Sequence, residues 1–340
     1  MGSGTPSVFS VTDGTYAYPR ANYLSNGNIM GAYTAFPANS GNQTLILTTS
    51  TDNGLTWKLT GSAAQRPVAQ SSLDNPYPFQ RADGKILLAY RNHDKNDKGD
   101  YTKYRITISY SDNLGADWLY LSDPVVVPAG KDLNGVWEPF LRAGSDGNLQ
   151  LYYSQENNAN DQDNVMRIST NQGKDWGDVI HVSGQEFTST RDGMVGVVQT
   201  TSGALIAVFE SLDKDRPFSF RLFMVSSSDG GKTWGNRKMI YDAGEGKSAG
   251  APQIVEVGGL LVVSFMTDED QPQDNNNQAW TSVSTAKFIT SNDGGSTWGN
   301  KTTVFAEPSY WPGLLASKDH NAVLYLGSDA TGLKSQNVTF

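Results

Sequence analysis

The chain contains the stretch Ser227-Ser228-Asp229-Gly230-Gly231-Lys232-Thr233-Trp234, which fits the pattern Ser-x-Asp-x-Gly-x-Thr-Trp. Two more copies fit this pattern in full, at residues 50–57 and 291–298, and two carry Asn in place of its Asp, at residues 111–118 and 169–176. The five closing tryptophans follow one another at intervals of 58 to 64 residues. Such a regular period indicates a fold built from repeated supersecondary units.

The polar residues of these boxes are interpreted as turn formers. Asp, Asn and Ser side chains hydrogen-bond nearby backbone groups and so stabilise tight turns. The tryptophan that ends each box is predicted to pack between neighbouring repeats. No box residue is assigned a catalytic role.

A second motif, a turn followed by an apolar strand, occurs six times, beginning at residues 26, 83, 146, 202, 258 and 321. Asn-Gly and Asp-Gly among these turns suit two-residue hairpins, because both turn positions take positive φ. Each repeat is then predicted to hold four antiparallel strands, which is the blade of a β-propeller. The sequence therefore predicts an all-β protein, a six-bladed β-propeller of four-stranded antiparallel blades.

The sixth repeat lacks a box and a fourth strand, since its predicted third strand is residues 335–340. Residues 8–12 precede the first repeat and are expected to supply this outer strand and close the last blade. The 340 residues are predicted to form a single catalytic domain, because large all-β folds often reach this length as one unit. The first four residues, Met1-Gly2-Ser3-Gly4, resemble a cloning remnant rather than a signal peptide.

Charge and composition narrow the possible partners. The net charge is -9, so an acidic surface would repel a phosphate backbone, and nucleic-acid binding is not expected. The longest nearly apolar run, residues 260–266, is too short to span a bilayer. There are no cysteines, which excludes disulfides and thiolate metal sites. Three glycosylation sequons, at Asn42, Asn300 and Asn337, accord with the prediction that the protein is secreted and extracellular. The protein is also predicted to be a monomer.

Two glutamates are the predicted catalytic pair. The first strand of a blade starts, and the second ends, on the same face, since adjacent strands are antiparallel. Glu138 starts a first strand in the third repeat, and Glu210 ends a second strand in the fourth. Glycoside hydrolysis uses two carboxyl groups, about 5 Å apart for retention and about 6.5 to 9.5 Å apart for inversion. Neighbouring blades are expected to bring the pair within this range, and Trp137, Pro139 and Phe209 are apolar neighbours able to raise a carboxyl pKa.

Other polar and aromatic residues on this face are predicted to bind sugar. Aromatic rings stack on sugar faces, and Arg, Asn and carboxylate groups hydrogen-bond hydroxyls. The predicted substrate-binding residues are Arg20, Tyr77, Arg91, Asn92, Trp137, Glu156, Asn157, Arg191, Asp192, Tyr310 and Trp311. Glu156 and Asp192 are also alternative catalytic carboxylates, and an alternative role for Arg20 and Arg191 is to neutralise nearby carboxylates.

No metal or organic cofactor is predicted. Residues 94–99 resemble the first half of a calcium loop, but Arg105 stands where the twelfth position requires a glutamate. The three histidines have no metal-ligand spacing, and only His93 falls on the predicted pocket face. The polar loop of residues 268–278 is expected to shape the rim of the site.

Four motifs together resemble glycoside hydrolase family 93, a family of fungal exo-1,5-α-L-arabinanases. They are Tyr18-Pro19-Arg20-Ala21-Asn22, Trp137-Glu138-Pro139-Phe140, Thr190-Arg191-Asp192-Gly193-Met194 and Val208-Phe209-Glu210-Ser211. The resemblance covers essentially the whole chain. It implies a six-bladed propeller that releases arabinobiose from the non-reducing end of linear α-1,5-L-arabinan with retention of configuration. It also implies Glu138 as nucleophile and Glu210 as acid/base.

Two other functions stay open at this point. The boxes also resemble the Asp boxes of sialidases, although the sialidase Arg-Ile-Pro motif is absent. A sialidase-like enzyme would need three arginines on a carboxylate and a tyrosine nucleophile, for which Tyr310 is the candidate. The second alternative is a non-catalytic glycan-binding propeller. For exo action, Tyr77, Arg91 and Trp311 are candidates for the wall that blocks the groove.

Overall fold

The computed structural model describes residues 2–10, 12–130, 135–213, 219–272 and 279–340. Among these residues, no helix is long and apolar enough to span a bilayer. A single 3₁₀ turn, Trp280–Ser282, interrupts a chain that is otherwise strands and loops in its described part. The strands are β1 (Gly2–Ser3), β2 (Ser7–Val8), β3 (Thr15–Tyr23), β4 (Ile29–Phe36), β5 (Asn42–Ser50), β6 (Lys58–Pro67), β7 (Ser71–Gln80), β8 (Ile86–Lys95), β9 (Tyr101–Ser111), β10 (Leu119–Pro128), β11 (Val136–Ala143), β12 (Leu149–Asn158), β13 (Asp161–Ser169), β14 (Ile180–Ser183), β15 (Thr190–Gln199), β16 (Leu205–Asp213), β17 (Phe220–Ser227), β18 (Gly235–Tyr241), β19 (Ala249–Val257), β20 (Leu260–Thr267), β21 (Thr285–Ser291), β22 (Gly299–Phe305), β23 (Gly313–Ala316), β24 (Ala322–Asp329) and β25 (Gly332–Thr339).

The chain divides into two compact units. The amino-terminal unit comprises Ser7–Ala159 and Val165–Ile180, and the carboxy-terminal unit comprises Met1–Pro6, Asn160–Asn164 and His181–Phe340. Both units contain four-stranded antiparallel sheets, which are the blades of a β-propeller. The predicted fold class, an all-β propeller, is therefore confirmed.

The amino-terminal unit has two complete blades, β3–β4–β5–β6 and β7–β8–β9–β10, and an antiparallel pair, β11–β12. Its first strands β3, β7 and β11 lie side by side. Leu47 of the first blade and Leu88 of the second belong to one buried apolar cluster. Ile106 and Leu151 belong to another, between the second blade and β12. Removal of these apolar faces from water is the main term that stabilises such packing.

The carboxy-terminal unit has the complete blades β15–β16–β17–β18 and β19–β20–β21–β22, and the antiparallel strands β23, β24 and β25. The first strands β15, β19 and β23 again lie next to one another. Val208 and Val263 share one buried cluster, and Phe288 and Tyr325 share a second. Within each unit the repeats therefore pack in chain order, which brings the starts of that unit's successive first strands together.

The blade count differs from the prediction, since four blades are complete among the described residues where six separate ones were predicted. In the third repeat β14 has only four residues, and Gln162 of β13 pairs in parallel with Arg191 of β15. In the sixth repeat β25 is the last strand that the repeat itself supplies. The parallel pair removes a boundary between two sheets, and the sixth repeat itself supplies only three strands, β23, β24 and β25, to the last sheet.

An amino-terminal strand does join the last sheet, as predicted. Within the carboxy-terminal unit, Gly2 pairs with Thr339 and Ser3 pairs with Val338, both antiparallel. This pairing lies before the predicted residues 8–12, of which residue 11 falls outside the described part.

Phe9 is fully buried against the first blade. Its ring centroid lies 4.6 Å from that of Trp57 and 5.9 Å from that of Tyr33. Gly31 makes room for it, because a Cβ there would lie 2.6 Å from the Phe9 ring. Phe9 thus acts as a core residue supplied from outside the blade.

Phe9→Ala should destabilise the protein by about 3 kcal/mol, because truncation of a buried phenylalanine loses apolar contact and leaves a cavity. Urea unfolding measures the change. Val8→Ala is the matched control, since Val8 is 56 % exposed in the same segment and its truncation should change stability by less than about 0.5 kcal/mol. Equal stability of the two variants would contradict this role of Phe9.

The boxes form turns of the predicted kind. In the first box, Asp52 accepts hydrogen bonds from the Thr56 backbone N–H at 2.9 Å and from the Thr56 hydroxyl at 2.5 Å. The Gly54 N–H donates to Ser50 Oγ at 2.8 Å. The same bonds recur in the boxes of residues 227–234 and 291–298. The role that these three boxes share is thus local turn formation.

The first strand of every repeat contains, or directly follows, a non-glycine residue with positive φ. In β3, Tyr18 has φ 58° and lies in a shift of register between Ala17 and Arg20. The six residues with φ between 48° and 58° at this place are Tyr18, Asn75, Glu138, Met194, Ala251 and Trp311. Such conformations cost of order 1–3 kcal/mol and concentrate at functional sites. Bulges of this kind re-aim side chains, so they set the direction of residues at the start of each first strand.

Candidate active site

Glu210 of β16 lies opposite Gly193 of β15. Its Oε2 accepts a hydrogen bond from the Ala251 backbone N–H at 2.6 Å. Gly250 leaves space for the carboxyl group, since a Cβ there would lie 2.4 Å from Oε2. The backbones of β15, β16 and β19 therefore hold this carboxyl group in one place.

Burial raises the pKa of Glu210 to about 7, although the Ala251 N–H and the positive charge of Arg191 both lower it. Loss of hydration disfavours the carboxylate more than these two favourable contacts stabilise it. The residue keeps part of its surface exposed. Glu210 is thus able to exchange a proton at neutral pH, as a general acid/base requires.

Arg191 lies beside this carboxyl group on β15. Its Nη2 donates to Gln162 Oε1 at 3.0 Å, and Gln162 Nε2 donates to the Asp192 carbonyl at 2.9 Å. Gln162 was not predicted as a site residue, because its contact with Arg191 joins residues 29 apart in the chain. The two alternatives for Arg191, sugar binding and charge neutralisation, are both compatible with its effect on the Glu210 pKa.

Asp192 does not present its carboxylate to a substrate. The residue is fully buried, and Arg237 binds both its oxygens, with Nη1 at 2.5 Å from Oδ2 and Nη2 at 2.9 Å from Oδ1. The Arg237 guanidinium also lies 4.9 Å from the Phe209 ring centroid and 4.7 Å from that of Phe223. The predicted contact of Asp192 with sugar, and its alternative role as a catalytic carboxylate, are therefore not supported.

Tyr310 and Trp311 lie together before β23, with ring centroids 5.2 Å apart. Both are half-buried. The Tyr310 N–H donates to Ser328 Oγ at 3.1 Å, and the Trp311 N–H lies 3.3 Å from Met266 Sδ. Their backbones are fixed while part of each ring is open, which fits the predicted aromatic wall.

Trp280 is an aromatic residue of the carboxy-terminal unit that sequence reasoning missed. A Cβ on Gly250 would lie 2.9 Å from Trp280 Cη2 and 2.4 Å from Glu210 Oε2, so the indole and the carboxyl group flank one point. Only the loop of residues 268–278 was predicted as a rim element, and residues 273–278 lie outside the described part.

In the amino-terminal unit, Glu138 is the bulge residue of β11. Its φ is 48°, and the register with β12 shifts between Trp137 and Phe140. The residue is half-buried, and Pro139 after it is buried. The bulge takes Glu138 out of the regular alternation of the strand, so its side chain need not follow the core-facing or solvent-facing rows.

Tyr18, Arg20 and Tyr77 form an aromatic and cationic group in the same unit. Arg20 is 2 % exposed, and its guanidinium lies 3.7 Å from the Tyr18 ring centroid. Burial raises the pKa of Tyr18 to about 12, and the charge of Glu138 raises it further while that of Arg20 lowers it. Burial also raises the pKa of Tyr77. Tyr18 was not predicted; as a neutral phenol near Glu138 it can donate a hydrogen bond at physiological pH.

Arg91, in the middle of β8, lies beside Trp137, near the start of β11. The Arg91 guanidinium is 4.9 Å from the Trp137 ring centroid. Arg91 Nη2 donates to Ser72 Oγ at 3.0 Å and to Asp74 Oδ2 at 3.3 Å. Asp74 therefore holds one side of the guanidinium, and the indole covers one of its faces.

The remaining predicted residues have mixed placements. Asn92 is buried and bonded to Arg66 at 2.6 Å and Thr107 at 3.0 Å, which is an internal network. Glu156 is 5 % exposed, whereas Asn157 is exposed. Only Asn157 of these three presents an open side chain.

The expectation that His93 faces the pocket is wrong. His93 is fully buried, and its Nε2 lies 2.9 Å from the Val136 carbonyl oxygen. Burial lowers its pKa to about 3, so the ring is neutral at physiological pH. Its apolar neighbours, Tyr104 and Trp137, explain why it packs inward.

No group of three His, Cys, Asp or Glu side chains in the described ranges is arranged to hold a metal ion.

No protein-family model and no curated protein matches the sequence. Solved structures do. The GH93 α-L-arabinofuranosidase of Fusarium graminearum, solved with arabinobiose, is 21 % identical with a TM-score of 0.73, covering 96 % of this chain and 93 % of that one. The Penicillium chrysogenum α-L-arabinanase, solved with arabinobiose, is 20 % identical with a TM-score of 0.72, covering 99 % and 96 %.

A sialidase is also similar, though less so. The K499G mutant of NanB sialidase from Streptococcus pneumoniae is 13 % identical with a TM-score of 0.62, covering 95 % of this chain and 67 % of that one. At these identities the likeness concerns the fold. The resemblance to glycoside hydrolase family 93 indicated by the sequence motifs is thus confirmed at that level, because the chain shares its fold with a GH93 α-L-arabinofuranosidase over nearly its whole length.

Proposed function

We propose that the chain is an exo-acting, retaining glycoside hydrolase that releases arabinobiose from the non-reducing end of linear α-1,5-L-arabinan. The observation that carries this proposal is the Glu210 carboxyl group, fixed by the Ala251 N–H and raised by burial to a pKa of about 7. A glycosidase acid/base must hold a proton at working pH and then lose it, which a carboxyl group of ordinary pKa does poorly. The two similar proteins solved with arabinobiose supply the substrate class.

In the proposed reaction, Glu210 donates its proton to the glycosidic oxygen as the Glu138 carboxylate attacks the anomeric carbon. The C–O bond to the leaving sugar breaks, and a covalent glycosyl–Glu138 ester forms. Glu210, now a carboxylate, removes a proton from water, whose oxygen attacks the anomeric carbon and releases Glu138. Two inversions give net retention. The role of Glu138 rests on the motif resemblance and on its strained backbone, φ 48°.

Sugar binding is assigned to the residues whose side chains keep an open surface. These are Tyr77, Arg91, Trp137, Asn157, Arg191, Tyr310 and Trp311. Arg20 is proposed to act through Tyr18, on whose ring it lies. We also propose that the protein is secreted and monomeric and needs no cofactor.

The six bulged first strands support counting six blades, even where a parallel pair joins two repeats into one sheet. Each repeat contributes one such strand, with one positive-φ residue at the equivalent position. We therefore retain six blades, the last closed by the amino-terminal strand, as part of this proposal.

Incubation with linear arabinan tests the function directly. We expect arabinobiose as the first product, in the anomeric configuration of the substrate, when products are sized by chromatography and their configuration is followed by proton NMR. On an aryl arabinobioside with an acidic phenol, which leaves without protonation, azide should restore turnover to Glu210→Ala and give a glycosyl azide of retained configuration, because azide attacks the glycosyl–enzyme without needing a base. Glu138→Ala should give no such product.

Three outcomes would overturn parts of this proposal. Inverted product would exclude Glu138 as nucleophile. Hydrolysis of a sialoside reporter but not of arabinan would favour the sialidase-like alternative. Binding of arabino-oligosaccharides without turnover would favour a glycan-binding protein.

A further inference from the structure

Trp280 lies beside the Glu210 carboxyl group. Trp280 Cη2 and Glu210 Oε2 are both within 2.9 Å of the point where a Cβ on Gly250 would stand. Any side chain at Gly250 would therefore collide with both groups, and its absence keeps the space between them open. The indole is half-buried, with the Phe220 ring centroid 5.9 Å away on another side.

The backbone that carries Trp280 is held in place on its carboxyl side. Its carbonyl oxygen accepts a hydrogen bond from Ser284 Oγ at 2.7 Å and one from the Val283 N–H at 3.3 Å. The loop is also anchored earlier, where buried Lys247 donates to the carbonyls of Gln271 and Pro272, each at 2.8 Å. A ring held in this way offers a fixed surface, and such preorganisation reduces the entropy lost on binding.

A fixed, partly open aromatic ring next to an acid/base has a specific use in carbohydrate chemistry. The C–H faces of a sugar are apolar and pack on the face of an aromatic ring, as apolar groups do. The same ring keeps water from the carboxyl group, which favours its protonated form.

We propose that Trp280 is a substrate-binding residue whose indole packs on the sugar unit adjoining the bond that Glu210 protonates. The proposal rests on the proposed glycosidase function and names one more residue of that site. It also gives Trp280 a second effect, since removal of the ring would hydrate Glu210 and lower the pH at which that carboxyl group titrates.

The test compares Trp280→Ala, Trp280→Phe and wild type on linear arabinan, with KM, kcat and the pH dependence of kcat/KM measured for each. For Trp280→Ala we expect KM to rise at least tenfold and the alkaline limb of the pH profile to move to lower pH. Trp280→Phe should recover most of both changes. Phe340→Ala is the control, because it removes a 37 % exposed ring that packs on Phe288 in the same unit, and it should match wild type.

Calorimetric titration with arabinotriose, on a Glu210→Gln background, separates this inference from the function. Tenfold weaker binding by Trp280→Ala supports the inference whether or not wild type turns over arabinan. Binding and pH profile within twofold of the unsubstituted protein, in a variant of normal circular dichroism, would overturn it while leaving the hydrolase function intact. A wild-type protein that neither binds nor cleaves arabino-oligosaccharides would overturn both.

Discussion

Glu210→Gln is expected to lower kcat on linear arabinan by about 10²- to 10⁴-fold, the usual contribution of a general acid/base. Glutamine keeps the size of the side chain and can still accept the Ala251 N–H, but it has no proton to give to a leaving oxygen. Initial rates of arabinobiose release measure the loss. The matched control is Glu186→Gln, which changes an exposed carboxylate of the same unit and should leave kcat unchanged.

The leaving group distinguishes acid catalysis from simple loss of binding. An aryl arabinoside with an acidic phenol leaves without protonation, so Glu210→Gln should lose much less in the first step on such a substrate than on arabinan. Equal losses on the two substrates would contradict the role of Glu210 as proton donor.

The pH dependence follows from the same raised pKa. Glu210 must be protonated for the first step, so wild-type kcat/KM should fall as pH rises above about 7, the pKa of this group. Glu210→Gln should lack this alkaline limb. An unchanged limb in the variant would assign the titration to another group.

Stability should depend on pH in the same direction. The pKa of Glu210 is raised from 4.5 to about 7 in the folded chain, so the folded state favours the protonated form. This contribution is complete below about pH 4.5 and is lost as pH rises to 7. Because one pKa unit corresponds to about 1.4 kcal/mol, Glu210→Gln should exceed wild type by roughly 2–3 kcal/mol at pH 8 and equal it at pH 4.

Local patterns were enough to predict the blades. The boxes and the Asn-Gly or Asp-Gly turns are stabilised by hydrogen bonds between residues close in sequence, such as the one from Thr56 to Asp52. A short stretch of sequence is therefore enough to predict them. Glu210 was also visible as a candidate, because it follows an apolar run that ends at Phe209, but it lies within β16 (Leu205–Asp213) and not at the end of the strand as the sequence predicted. Five of the six positive-φ residues directly precede a proline, as Glu138 precedes Pro139. These X-Pro pairs are visible in the sequence, but the sequence does not show that they mark the bulges.

Long-range partners could not be predicted in this way. Arg237 and Asp192 are 45 residues apart, and nothing near either residue indicates the other. Trp280 and Glu210 can lie close together because Gly250 has no side chain to separate them. This arrangement depends on three segments that are far apart in the sequence. His93 shows the converse error, since strand position placed it at the pocket, but aromatic neighbours draw it into the core.

Arg237→Met should destabilise the protein by about 3–5 kcal/mol, because it leaves the carboxylate of Asp192 buried without its partner. Asp192 is fully buried, and the guanidinium supplies bonds to both its oxygens. Methionine can keep an apolar side chain against Phe209 and Phe223, whose rings the Arg237 guanidinium now contacts, so the loss reports mainly on the charge. Urea unfolding at pH 7 measures it. Lys334→Met, which removes a partner 3.7 Å from the more exposed Asp329, should cost less than about 1 kcal/mol.

The double variant Asp192→Leu with Arg237→Met separates the cost of an unpaired charge from the worth of the pair. Replacement of a whole buried ion pair by apolar side chains of similar volume is often neutral or stabilising. The double variant should therefore be more stable than Arg237→Met alone by at least about 2 kcal/mol, even though it carries one substitution more. If the two variants unfold at the same urea concentration, the ion pair is not the source of the loss, and contact of the Arg237 guanidinium with the phenylalanine rings must account for it instead.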